Sequence, residues 1–247
     1  MKAKIHCVYD EGSLPGTSLI GAKGISVLVE ADGRKILFDT GGRGPYLLHN
    51  LSFLEIKPEE IDTIIISQGE KDHYGGLKGF LKERENSIDI YAPEAAWGEK
   101  KLLGSTGIHI PEELEVKAEK HNVDGWTQIS EHVLISASID GESFITVKTR
   151  DGPVVISGCS RCGVRNIIAS VNSELGSKPK TYVGGVHIRK REQAKAKDIA
   201  DAFNEAGCNS LYLNHCTGVE GMMYLRTHLG LKGVNDFYVG SVLEVDL

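Results

Sequence analysis

The sequence lacks any long apolar run. No segment approaches the roughly 20 apolar residues that a helix needs to cross a bilayer, and the opening stretch MKAKIHCVYD has no apolar centre of the kind found in secretory signals. There is no Pro/Ser-rich linker, low-complexity tract or block of like charge, so one domain spanning residues 1–247 is expected. Cysteines are few and odd in number, five, which fits reduced thiols in a cytoplasm better than a disulfide framework. Basic residues are outnumbered, 28 Lys and Arg against 34 Asp and Glu, and the net charge of −6 argues against a general nucleic-acid or anionic-membrane binder. What these absences leave is a cytoplasmic globular protein whose partner is a small molecule, with no nucleic acid, no membrane and an open oligomeric state.

What is present is a succession of strand-like runs interrupted by helices. GISVLVE and RKILFDT flank ADG, an Asp-Gly hairpin signal. A short helix is expected over 45–52, a buried strand over 62–67 and another over 88–93. From 94 to 131 periodicity is weak, and an excursion of that length is often functional; Trp97, Lys100 and Lys101 within it could cover an anionic ligand. HVLISASI, SFITVKT and GPVVISG read as strands, as do KTYVGG and SLYLNHC. Residues 163–175 set Val164, Ile167, Ile168, Val171 and Leu175 on one helical face, and a second helix over 190–206 stops at Gly207. Strands in runs, with helices between them, imply sheets with helices packed outside, an α+β or layered α/β architecture.

The polar residues recur at one kind of position, the end of a strand. Asp39 follows ILF, Asp72 and His73 follow TIII, GCSRCG follows VVI, His187 follows YVGG and His215 follows LYLN. Loops at one sheet edge can converge on a single site. The TGGRG loop (40–44) could cradle a phosphate through its N–H groups and Arg43, although a tight turn explains the glycines as well.

ILFDTG, S-x-G-x-x-DHYGGL, SGCS-x-x-G, VGGVH and NHCTG, in this order, resemble the metallo-β-lactamase superfamily, and most closely its dihydropterin/methanopterin-synthase-like branch of metal-dependent hydrolases. The resemblance implies an αββα sandwich of two mixed sheets with helices on the outer faces, and a dinuclear metal site at one sheet edge. In that family the loop reads His-x-His-x-Asp-His. Carried over by position, the first-metal ligands fall on Gln68, Glu70 and Arg161, and the second-metal ligands on Asp72, His73 and His215. Asp39 is expected to orient the ligand loop and His187 to face the site or the substrate.

The departure is confined to one metal. A carboxamide is a poor zinc ligand, and a guanidinium has no lone pair to give and stays charged. The first metal is therefore expected to be absent, with a buried Glu70–Arg161 ion pair in its place. Asp72, His73 and His215 could hold one divalent ion, Zn, Fe or Mn, or the site could be metal-free. On this reading Asp72 and Arg161 are the catalytic pair of a hydrolase with a degenerate centre, acting on a small phosphorylated or ester-type substrate. Two alternatives stay open: a non-catalytic, metal-free small-molecule binder, and a thiol-redox protein using Cys159 and Cys162 of the C-x-x-C sequence.

Overall fold

A computed structural model of the chain describes residues 1–98, 100–101, 104–105, 107–231 and 233–247. The first half runs β1 (Lys2–Tyr9), β2 (Ser26–Ala31), β3 (Arg34–Phe38), α1 (Gly44–Phe53), β4 (Thr63–Ile65), α2 (Lys71–Tyr74), α3 (Leu77–Glu83) and β5 (Ile88–Ala92). A small ribbon of β6 (Lys100–Lys101) and β7 (Gly104–Ser105) precedes β8 (Ala118–Asn122). The second half runs β9 (Thr127–Gln128), β10 (Val133–Ile135), β11 (Ile145–Val147), β12 (Val154–Ser157), α4 (Val164–Leu175), β13 (Thr181–Gly184), α5 (Gln193–Ala206), β14 (Ser210–Leu213), α6 (Gly218–Leu229), β15 (Val234–Asp236) and β16 (Val242–Asp246).

Two seven-stranded sheets result, ordered β16-β1-β2-β3-β4-β5-β8 and β15-β14-β13-β12-β11-β10-β9. Each is mixed: β3, β4, β5 and β8 pair in parallel, as do β12 to β15, while the remaining pairs are antiparallel. The period-2 alternation of strand side chains sorts the core into layers. Ile36 and Phe38 of β3 meet Val133, Ile145, Val154 and Ile156 between the sheets. Leu37, one residue out of phase, points the other way and packs with Leu47 and Leu51 of α1 and Phe80 of α3. On the far side, Val155, Tyr182 and Leu211 receive α4, α5 and α6 through Ile167, Phe203 and Leu225. Strands buried on both faces read as unbroken apolar runs, which is why TIII and VVI stand out in the sequence.

The four-layer αββα sandwich agrees with the layered architecture expected, and both main helices fall where their apolar spacing placed them. Gly207 takes the left-handed conformation that closes α5, with φ of 67°. The sequence reading contains no strand at 2–9 or 242–246 and no helix at 218–229, yet β1 and β16 pair along the edge of the first sheet. Among the described residues no helix is long and apolar enough to cross a membrane. The side chains of Lys100 and Lys101, read above as a cover for an anion, lie outside the described residues; Trp97 carries the Lys120 ammonium 5.7 Å from its ring centre instead.

Candidate metal centre

Five strand ends meet at one edge of the sandwich. Asp39 leaves β3, Gln68, Glu70, Asp72 and His73 follow β4, Cys159 and Arg161 follow β12, His187 follows β13 and His215 follows β14. Of these, His73 and Asp39 are both fully buried. The His73 Nδ1 stands 2.7 Å from Asp39 Oδ2, and the same carboxylate accepts the Ser67 backbone N–H at 2.7 Å and the Ser67 hydroxyl at 2.8 Å. Burial alone would drive the proton off His73, but the Asp39 charge beside it holds its pKa well above the ordinary imidazole value. A carboxylate at Nδ1 turns the other ring nitrogen, Nε2, toward the cleft, as in histidines that bind metal.

Nε2 of His73 meets Cys159 Sγ at 3.4 Å, and Nε2 of His215 meets the same sulfur at 3.4 Å. Cys159 is 2% exposed and His215 6%. The donor atoms of the three residues lie within 4.8 Å of one another. A tetrahedral zinc site, with Zn–S of about 2.3 Å and Zn–N of about 2.0 Å, sets sulfur and nitrogen roughly 3.5 Å apart. Both sulfur–nitrogen separations match that spacing, so the three residues would suit one divalent ion such as zinc. The Cys159 thiol is pulled below its ordinary value, chiefly by a hydrogen bond with Cys216; burial opposes this, and His187, His215 and His73 reinforce it. Cys159, His187 and Cys216 form a second, overlapping group of donors.

The loops that carry these side chains are held by groups that sequence reading passed over. Glu142, 2% exposed, accepts the backbone N–H groups of Cys159, Ser160 and Arg161 at 3.0, 2.8 and 2.7 Å, so one buried carboxylate fixes the whole turn after β12. Asp10 accepts the His215 N–H at 2.9 Å; burial pushes its carboxyl up to about 6, against the pull of the Gly12 N–H. At Gly158 a Cβ would lie 2.8 Å from the His73 ring, so only glycine lets the β12 turn pass this close. Glu142 belongs to no motif, and nothing local in the sequence distinguishes it from a surface glutamate.

The structure regroups the ligand set that the resemblance implied. Asp72 is grouped with His73 and Glu70 and not with His215; its carboxylate also stands 3.6 Å from Lys23 Nζ. The cause is helical geometry. Asp72 and His73 are consecutive in α2, and residues one apart point about 100° apart around a helix. His73 faces inward, Asp72 outward, and Cys159 supplies the third buried donor.

The other three positions hold an amide, a carboxylate and a guanidinium. Glu70 and Arg161 form a two-pronged carboxylate–guanidinium pair, and the Gln68 amide nitrogen lies 2.6 Å from His73 Nε2. Burial disfavours the Arg161 charge, but Glu70 and then Cys159 more than compensate and raise its pKa. The pair is not buried as expected: its side chains are 42% and 40% exposed, because both head groups sit at the mouth of the cleft. His187 has a buried Nδ1 with no partner among the described residues, and its backbone N–H points at Cys216 Sγ at 3.2 Å. Cys162 packs into the apolar layer beside Val164 and Ile167, where burial pushes its thiol up to about 12. Its setting is that of a buried core thiol.

This fold with this edge is that of a metal-dependent hydrolase family, and the family model agrees. Residues 23–166 match the metallo-beta-lactamase superfamily, and the chain belongs to it. One relative is the 7,8-dihydropterin-6-methyl-4-(beta-D-ribofuranosyl)-aminobenzene-5'-phosphate synthase of Methanocaldococcus jannaschii, 24% identical over 257 residues, with 87% of each chain covered. Among solved structures, a metal-dependent hydrolase of the beta-lactamase superfamily superimposes with a TM-score of 0.81 at 26% identity, covering 99% of this chain and 100% of its own. A diphosphatase of the PhnP family shares the fold with a TM-score of 0.61 at 14% identity, covering 99% of this chain and 98% of its own.

Proposed function

We propose that the chain is a hydrolase with a degenerate centre, working with at most one divalent ion on a small phosphorylated or ester-type substrate. The observation that carries this reading is the convergence of His73, Cys159 and His215 on a space of tetrahedral size, beside a position filled by the Glu70–Arg161 pair. An ion held by these three residues would supply Lewis acidity and an acidified water. The chain's own groups do the rest. Asp39 keeps His73 oriented through Nδ1. Asp72, 18% exposed in its side chain and 3.6 Å from Lys23 Nζ, would take a proton from a water or substrate hydroxyl. Arg161 presents a fixed positive charge at the mouth of the cleft, where a substrate oxygen gains negative charge.

One observation favours the metal-free binder. The Gln68 amide stands 2.6 Å from His73 Nε2, the nitrogen an ion would need. Metal analysis of protein purified without chelators separates the two readings. The hydrolase reading expects about one equivalent of ion, lost in Cys159→Ala and in His215→Ala, and kept in Asp72→Ala while turnover of an aryl phosphate ester falls by about 10²-fold or more. No metal in any sample decides for the binder. Two equivalents in the wild type would end the claim that one metal position has been replaced.

A further inference from the structure

The five cysteines are scattered along the chain, and the fold brings two of them together. Cys7 lies between the sheets, and Cys162 and Cys208 lie beneath the helices of the second half, all three among apolar side chains. Cys159 and Cys216 instead meet at the edge of the sandwich, their sulfurs within 4.8 Å of each other. We propose that Cys159 and Cys216 are a modification site, a thiol pair that hydrogen peroxide converts to a reversible disulfide.

The backbone is shaped for this approach. Cys159 follows β12 and Cys216 follows β14, with β13 between them. Strands two apart in a sheet are separated by roughly 9–10 Å, so the loops after them must converge over β13 for the sulfurs to meet. The residue that leaves β13 at this point is Gly185. A Cβ there would lie 2.4 Å from Cys216 Sγ and 2.7 Å from the Gly158 carbonyl oxygen, so a larger residue would displace the sulfur. Over that glycine the Cys216 side chain reaches the β12 turn. Its Sγ lies 3.7 Å from the Cys159 carbonyl oxygen and accepts the His187 N–H at 3.2 Å. Glu142 holds the facing turn through the Cys159 N–H. The remaining approach, to an S–S bond of roughly 2.05 Å, lies within the swing of two short side chains.

The chemistry needs one oxidant and no other reactant. The Cys159 sulfur attacks an oxygen of peroxide: an S–O bond forms, the O–O bond breaks, and the departing hydroxide takes the thiol proton and leaves as water. The Cys216 sulfur then attacks the sulfenic sulfur. The S–S bond forms, the S–O bond breaks, and the second hydroxide leaves as water with the Cys216 proton. Each sulfur gives up one electron, and the peroxide is reduced to water. Cys216 is only half-buried, so the pair is open to a small oxidant from that side.

The same pair touches the metal centre. Cys159 Sγ stands 3.4 Å from Nε2 of both His73 and His215. A disulfide sulfur carries no thiolate charge, so the oxidised protein would offer an ion two imidazoles and no sulfur. An ion already on Cys159 would in turn engage the lone pair that attacks peroxide. This coupling rests on the hydrolase reading, in which Cys159 is a ligand; the disulfide itself needs no metal.

The test uses the full chain, reduced and then freed of reductant, in chelator-stripped and zinc-loaded forms. Each is exposed to hydrogen peroxide, quenched by alkylation and mapped by mass spectrometry. The stripped protein should lose two hydrogens, yield a peptide that joins Cys159 to Cys216, and regain both thiols with dithiothreitol. Cys162→Ser should leave the link in place, and Cys216→Ser should abolish it while Cys159 passes on to the sulfinic acid. Mapping of the wild type alone decides the matter where a variant fails to fold. Sulfinic acid at Cys159 of the wild type with no link to Cys216 would overturn the proposal, and so would a link from Cys159 to Cys162. Zinc should slow the oxidation at least about tenfold. A Cys159–Cys216 link that forms equally fast with zinc present would instead remove Cys159 from the ligand set of the hydrolase reading and leave the disulfide standing.

Discussion

The two halves of the cleft differ in how deeply their charged and metal-donor groups are buried. On one side His73 is fully buried, Cys159 and His215 nearly so, and each is tied to a second buried group, Asp39, Glu142 or Asp10. On the other, Glu70 and Arg161 face each other at the mouth with about 40% of each side chain exposed. Pairing in a low-dielectric interior and pairing in contact with water are different interactions, even with the same kinds of atoms. The buried half is fixed by its surroundings, whereas the exposed half is free to exchange partners with a ligand. The Glu70–Arg161 pair is thus half solvated, in contrast to the buried His73–Asp39 pair.

The largest test of this contrast is Asp39→Ala. It strips His73 and Ser67 of a buried acceptor shared by three hydrogen-bonding groups, and urea unfolding should show a loss of about 3–5 kcal/mol. A loss under about 1 kcal/mol would mean that water replaces the carboxylate and that the half is not as closed as its burial indicates. On the exposed side, Arg161→Ala should change unfolding free energy by less than about 1 kcal/mol, since solvent screens the pair. A drop of several kcal/mol there would break the comparison outright.

The smallest effect belongs to neither half and serves as its control. Burial lowers the pKa of His6 in β1, partly offset by Glu30, with Lys4, Lys35 and Glu244 also facing it. The folded protein thus binds this proton less readily than the unfolded chain does. Stability from His6 is intact above about 6.5, the unfolded value, and is lost as pH falls from there toward the folded pKa. His6→Gln should flatten that part of a stability–pH curve. If the slope below pH 6.5 survives unchanged in the variant, another group is responsible for it.

Much of the fold was legible because it is local. Ile36, Leu37 and Phe38 announce a strand buried on both faces, and Val164, Ile167, Ile168 and Val171 announce one helix face. β1 was also readable in principle, since Ala3, Ile5 and Cys7 alternate inward against Lys2, Lys4 and His6. Its polar positions and its place at the start hid a strand whose partner, β16, lies at the other end of the chain. α6 was less legible: Gly218 and Gly221 interrupt it, and Val219 and Met223 are apolar yet exposed, so the usual inward stripe is blurred.

For the centre, the residue types at strand ends were enough to pick out His73 and His215, whereas Glu70 and Arg161 were found only through the resemblance to the family's ligand positions. That Cys159 belongs with the two histidines, that Asp72 turns to the rim and that Glu142 clamps the turn could be decided only by tertiary structure. Each depends on the direction of a side chain relative to residues 17 to 86 positions away, and neither spacing nor composition encodes a direction until the sheets have packed.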